Sequence, residues 1–407
     1  MKRLIRKIFR PPYAYLRYLL HRYFLKGYFK PYYLYDTLTL EEISSDKMSY
    51  FGYYNVSPEN NNGAVLFGTL SGEEKSLELY SSLKDDNNIH IGTTQAFNMQ
   101  QGCMLQWGYT NKNICYYNIY NSKTTRYESV AYNTDKKAII DNFTQPIYSL
   151  SKQEDYFLTL DFERLTIMRP DYGYFCNSKD DIKLLPYDCD GIWRYDIKSK
   201  QTKLIISLAQ LIDLKYVDTM QGATHKVNHI DISPNGKRFM FLHRWVGEKG
   251  RFMRLITAQN DGTDIYILNG DIMTSHSYWK DDNKIISFCY TPEFGEAYTI
   301  FEDKTTKISK LSDKLPKTDG HPSVTTDCKW LVTDRYPRRS RFSSLYLYNI
   351  ETDNLYKLGE FYQPLKYDGE RRIDLHPKLN MSGDKVYFES GHTGKRRLYS
   401  INFSKLK

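Results

Sequence analysis

The sequence predicts an all-β chain, a single seven-bladed β-propeller preceded by a basic, helical N-terminal arm. Three observations predict it. Units with matching strand and turn patterns recur through the C-terminal half, spaced 47, 45 and 55 residues apart by a shared histidine. Aromatic residues make up 15% of the chain, a composition suited to half-buried and buried strands. The positive charge is confined to the first 30 residues.

Composition bounds the alternatives. The chain has 407 residues, 41% hydrophobic and 26% charged, so it can bury a large core. Its 20 Phe, 37 Tyr and 5 Trp exclude disorder for most of its length. No apolar run reaches the roughly 18 residues that a spanning helix requires. Six cysteines (Cys103, Cys115, Cys176, Cys189, Cys289, Cys328) show neither a CxxC pair nor zinc spacing. They read as free thiols in a reducing compartment, which points to the cytoplasm.

Residues 1–35 form the arm. Residues 1–30 hold Lys2, Arg3, Arg6, Lys7, Arg10, Arg17, Arg22, Lys26 and Lys30, and the first acid is Asp36. Of 57 basic residues, 48 therefore remain in 31–407, against 48 acids. A neutral body excludes a nucleic-acid-binding face, whose basic footprint would spread over folded surface. As a secretory signal the segment fails, because Arg17, His21 and Arg22 break its apolar stretch. As a transit peptide it lacks serine. Leu4, Ile5, Ile8 and Phe9, then Leu16, Leu19, Leu20, Tyr23 and Phe24, recur at helical spacing on either side of Pro11-Pro12. That pattern suits a peripheral anchor on an anionic membrane surface, here the inner membrane face. A helix packed on the protein's own body or on a partner fits equally.

Residues 48–407 form the propeller. The first three blades are faint. Val56-Ser57-Pro58 precedes Ala64–Phe67; Phe97–Met99 precedes Cys103–Trp107 and Ile114–Asn118; Ile147–Ser149 precedes Tyr156–Leu160 and Gly191–Tyr195. Residues 163–190 read as an insertion in the third. The next four blades are plain. Their openings are His229-Ile-Asp-Ile-Ser-Pro-Asn-Gly-Lys237, His276-Ser-Tyr-Trp-Lys-Asp-Asp-Asn-Lys284, His321-Pro-Ser-Val-Thr-Thr-Asp-Cys-Lys329 and His376-Pro-Lys-Leu-Asn-Met-Ser-Gly-Asp-Lys385. Each leads into a β-branched and aromatic strand. A third strand follows, as in Asp264–Leu268, Leu345–Asn349 and Arg397–Ile401. Ring closure is expected from residues near 48–54 joining the last sheet.

Four of the nine histidines thus share one register, just before the strand that lines a propeller's channel. They are expected to converge on one rim, either as a site or as structural groups bonding the neighbouring blade. Arg244 follows the second strand of the fourth blade. Arg335, Arg338, Arg339 and Arg341 cluster with Tyr336 in the sixth, a set suited to a carboxylate- or sulfate-bearing sugar. Asp374 and His376, two apart on an extended segment, face one way. With His321 they offer an N/O set suited to Mn or Zn.

The Ser-Pro-Asn-Gly-Lys and His-Pro units, with Asp374-Leu-His-Pro377 and Gly383-Asp-Lys385, resemble oligogalacturonate lyases and related TolB-type WD40-like propellers, mainly over residues 220–407. The resemblance implies a base at His276 and a manganese ligand at His321. It places the remaining metal cluster on Arg371, Asp374 and His376. Two positions depart from the family pattern: Arg371 stands for a neutral amide, and Asp374 for a histidine. A cation cannot ligate a metal, so Arg371 reads instead as a carboxylate clamp.

Two functions follow. The first is lyase-type β-elimination on an acidic, uronate-containing poly- or oligosaccharide. His276 would take the proton, Arg244 would neutralise the carboxylate, and Tyr336 would protonate the leaving oxygen. His229, Arg335, Arg338 and Arg371 would bind substrate. The second is a non-catalytic scaffold or glycan-binding propeller at the cytoplasmic membrane face, acting in surface-polysaccharide biosynthesis. Propellers host both.

Overall fold

The computed structural model describes residues 12–43, 47–72, 75–82 and 88–407. They fold into seven antiparallel sheets arranged as a propeller. The fourth blade shows the plan. Thr224–Ile232 lies innermost, followed outward by Arg238–Gly247, Gly250–Gln259 and Tyr266–Asn269. The innermost strands of successive blades are neighbours around the channel.

Alternation of side chains along each strand builds the ring. In Arg238–Gly247, Phe239 and Phe241 pack with Tyr156, Leu158 and Ile192 of the third blade. Met240 and Leu242 point the other way, onto Ile285 and Phe301 of the fifth. Equivalent clusters join the fifth blade to the sixth through Phe288 and Leu331, and the sixth to the seventh through Leu347 and Phe388. Both faces of a blade are buried, so Val65–Leu70 is buried throughout and its sequence is mostly apolar on both faces.

The first blade opens with Ser49–Tyr50, not with the segment around Val56. The second opens with Gln106–Trp107, and Phe97–Met99 belongs to a turn before it. In the fourth blade Asp264–Leu268 overlaps the outermost strand rather than the third. The third is Gly250–Gln259, joined to the second by the tight turn Glu248-Lys249 between paired Gly247 and Gly250. Between the second and third strands of the third blade run a helix, Phe162–Met168, and the short turn Pro170–Tyr172. Asp161 caps the helix by accepting from the Glu163 N–H.

Ring closure differs from the expectation. Residues 49–50 start the first blade, while Leu40–Glu42 pairs with Arg397–Asn402 as the outer strand of the seventh. The strand before it, Tyr32–Leu34, adds a fifth strand to the sixth blade by pairing with Asn354–Tyr362. An N-terminal strand completing the last sheet ties the two ends of the chain together and leaves a short three-residue strand at the edge. The six cysteines are unpaired. Among the described residues no helix is long and apolar enough to cross a membrane.

Candidate active site at the histidine rim

The innermost strands are interrupted where the histidines fall. Pairing slips between Asn228 and Asp231, and again between Thr274 and Ser277, which bulges His229 and His276 out of the ladder. His321 and His376 immediately precede the short strands Ser323–Val324 and Lys378–Leu379. His229 and His376 have φ of 57° and 44°, a left-handed backbone that costs about 1–3 kcal/mol in a non-glycine residue.

These breaks turn all four rings inward. The centroids of His276 and His321 are 4.0 Å apart, those of His321 and His376 4.4 Å, and those of His229 and His276 6.0 Å. Tyr53, from the first blade, plugs the centre: its ring lies 5.2–6.3 Å from all four. Tyr54 packs on His276 and His321 and exchanges hydrogen bonds with the Ser277 backbone.

Carboxylates orient two of the histidines. Asp319 lies 3.0 Å from His276 Nδ1 and is held by Ser275 Oγ. Asp334 lies 2.8 Å from His321 Nδ1 and also accepts the His321 backbone N–H. Burial and the neighbouring His321 lower the pKa of His276, so at neutral pH it is an unprotonated base. Burial pushes His321 the same way, but Asp334, Asp374 and Asp319 outweigh it and raise the pKa. His376 and His229 are held neutral, chiefly by burial.

His321 Nε2 and both ring nitrogens of His376 are buried without a hydrogen-bond partner, though His376 Nε2 lies 3.9 Å from Asp374. His321, Asp374 and His376 offer ligand atoms within 4.8 Å of one another. The open Nε2 of His321, the His376 ring and the Asp374 carboxylate, with Asp334 fixing His321 through its Nδ1, fit a divalent cation. Arg372 Nε donates to Asp374 Oδ2 at 2.8 Å and its Nη1 to Asp171 at 2.7 Å. Arg371, the expected clamp, is instead exposed and lines a different cavity beside Phe97 and Phe175.

A cavity of about 750 Å³ opens beside this rim. Arg372 is shared between its wall and Asp374, and Tyr172, next to lining residue Asp171, packs edge-on against His229. Its basic side chains are Arg169, Lys226, Arg244, Arg251 and Arg372; Val246, Phe252 and Met253 give it an apolar side. Its acids are Asp171, Asp368 and Glu370, and Asp171 is already engaged by Arg169 and Arg372. Arg244 Nε is buried with no partner. Lys226 is nearly fully buried, and burial, with Arg244 and Arg169 nearby, lowers its ammonium to about 6.

The structure therefore brings His229, His276, His321, Asp374, His376 and Tyr336 together and puts Arg244 in the adjoining cavity. Tyr336 lies 5.5 Å from His321 and 6.4 Å from His276 by ring centroid. Arg335 and Arg338 sit further out on the sixth blade, where Glu360 and Tyr28 are their charged and phenolic neighbours. Arg341 donates to the carbonyls of Gln363, Pro364 and Tyr367 and so fixes the loop beyond. Tyr53, Tyr172, Asp319, Asp334, Arg169, Lys226, Arg251 and Arg372 did not stand out in the sequence. Only Lys226, three residues before a register histidine, carried a positional hint.

No protein-family model matches the sequence, and no curated protein matches it significantly. The fold does match solved structures. An oligogalacturonate lyase from Vibrio parahaemolyticus superposes with a TM-score of 0.64 at 13% identity, over 91% of this chain and 96% of that one. An oligogalacturonate lyase in complex with manganese gives 0.62 at 13% identity, over 91% and 97%. TolB from Acinetobacter baumannii gives 0.41 at 11% identity, over 84% and 80%. The chain is thus a seven-bladed propeller similar in fold to oligogalacturonate lyases.

Proposed function

We propose that the protein acts on an acidic, uronate-containing oligosaccharide by β-elimination at the histidine rim. The observation that carries this is an aspartate-bonded, neutral His276 in a rim that adjoins, through Arg372 on Asp374 and Tyr172 on His229, a cavity lined by four arginines and Lys226. The likeness in fold to oligogalacturonate lyases, one of them a manganese complex, supports it.

Arg244, whose Nε lacks a partner, would pair with the uronate carboxylate and orient the sugar. His276, with Nδ1 committed to Asp319, would take the C5 proton on Nε2; the imidazolium that forms is stabilised by that carboxylate. The C4–O bond breaks as the C4–C5 double bond forms. Burial holds Tyr336 neutral, so its hydroxyl can donate a proton to the departing oxygen. His321, Asp374 and His376 would hold a divalent cation, manganese or zinc by their chemistry. Such an ion supplies Lewis acidity that draws charge from the carboxylate and acidifies the adjoining C–H.

The test is an ultraviolet assay for the unsaturated product from uronate oligosaccharides, with and without Mn²⁺. The wild type should form product, and His276→Asn should lose about 10²–10⁴-fold in kcat while still binding substrate. No product under either condition, or an unaltered His276→Asn, contradicts the reading.

A further inference from the structure

The arm carries a surface feature that the site chemistry leaves unused. Residues 12–24 are helical, with a π-helical last turn over Leu20–Phe24. One face is pinned to the sixth blade. Tyr18 is 7% exposed, and its hydroxyl lies 3.0 Å from that of Tyr362. The Arg22 guanidinium sits 3.9 Å over the Tyr362 ring. Beyond the helix, Tyr28 stacks on Phe342 at 4.0 Å and bonds to Glu360.

The opposite face has no such cover. Tyr13, Leu16, Leu20 and Phe24 follow at spacings of three and four, forming one stripe about half a turn away from Tyr18. Leu16 is 64% exposed and Phe24 81%, and Phe29 continues the apolar surface at 74%. An apolar stripe this open on a helix held in place is a docking surface. The charge around it selects the occupant. Arg17, Lys26 and Lys30 flank it, and no acid occurs before Asp36; Lys2, Arg3, Arg6, Lys7 and Arg10 precede it in the chain. Basic residues around Leu, Phe and interfacial Tyr match an anionic lipid surface.

The helix also sits on the histidine side of the ring. In the sixth blade the innermost strand leaves that rim at His321, and its antiparallel neighbours return to it and leave again. The turn from Arg335 to Phe342 and the end of the outer strand at Tyr362 therefore lie on the rim that carries the histidines. Tyr362 and Phe342 are the residues that hold the arm.

We infer that the stripe Tyr13–Leu16–Leu20–Phe24 seats the protein on an anionic lipid surface, with the histidine rim on the side of the ring that carries this contact. The proposal does not depend on the reaction proposed above. It does place that site where an acidic glycan attached to the membrane would meet it.

The test is co-sedimentation of the full-length protein with phosphatidylcholine vesicles, with and without phosphatidylglycerol. The parent should bind the anionic vesicles, and bind less as salt rises from about 0.1 M to about 1 M, where the Debye length shrinks from about 10 Å to about 3 Å. The triple variant Leu16→Asp, Leu20→Asp, Phe24→Asp should bind at least about tenfold less. Arg17→Glu with Lys26→Glu should lose only the anionic preference. All five side chains are partly or fully exposed, so a thermal melt should confirm that both variants fold like the parent. Equal binding to neutral vesicles, no binding, or parental binding by the triple variant overturns the proposal. So does a parent dimer in sedimentation velocity that the triple variant breaks, since the stripe then seats a second copy.

Discussion

At the level of single residues, the buried Lys226 gives the cavity a pH dependence that can be measured. Lys226 is buried beside Arg244 and Arg169, and its ammonium loses its proton near pH 6 rather than in the usual lysine range. The sign of the consequence follows. Above about pH 6 the free protein holds Lys226 neutral; below it the charge is present. An anion in the cavity favours the charged form, so binding takes up a proton. Affinity for an oligouronide should therefore rise as pH falls from about 8 to about 6, by up to about tenfold per unit. Lys226→Met should flatten that profile relative to wild type; titration calorimetry at several pH values measures it. An identical slope in the variant would remove Lys226 from the site. His229 and His376 are placed by backbone instead: a left-handed φ turns the one ring onto Tyr53 and the other onto His321.

The strand is the element on which the ring depends, and its two faces serve two different interfaces. Phe241 faces the third blade while Leu242, next to it, faces the fifth. Phe241→Ala should cost about 3–5 kcal/mol, because the ring is completely buried between two sheets that cannot collapse onto the void. Chemical denaturation checks the value; a loss under about 1 kcal/mol would mean that the blades repack freely. Strand alternation also explains what the sequence made legible. The last four blades share a histidine, a polar turn and an apolar strand, so their count and register could be read directly. Pro234-Asn235-Gly236 is one such turn: Gly236 has φ of 72°, and a Cβ there would meet the Gln153 side chain at 2.3 Å. The first two blades open with two-residue strands, Ser49–Tyr50 and Gln106–Trp107, as the sixth and seventh do, but no register histidine precedes them to mark the position. Closure by Leu40–Glu42 was illegible too, since a three-residue edge strand is defined by its partner Arg397–Asn402.

The whole molecule separates its charges by place. The described part of the basic arm, from residue 12 on, lies against the sixth blade, and an arginine-lined cavity lies beside the seven-bladed ring's histidine rim, while residues 31–407 balance 48 basic against 48 acidic residues. The histidine register and the His321, Asp374, His376 set were readable because repeats place equivalent positions on one rim. The cavity was not. Arg169 comes from the insertion, Lys226 and Arg244 from the fourth blade, and Arg372 from the loop before the seventh, so only the closed ring assembles them. The neighbouring residue Arg371 points elsewhere, and sequence alone gives no means of choosing between two adjacent arginines in a loop. The central claim is that this assembled cavity selects the carboxylates of an acidic sugar. Its most direct test is titration calorimetry of trigalacturonate against its carboxyl-reduced, neutral analogue, with wild-type protein and Arg244→Met. The account predicts that wild type binds the charged trisaccharide at least about tenfold more tightly, and that Arg244→Met loses most of this preference. Equal affinity of the wild type for the charged and neutral sugars, or a preference that survives in Arg244→Met, would contradict it.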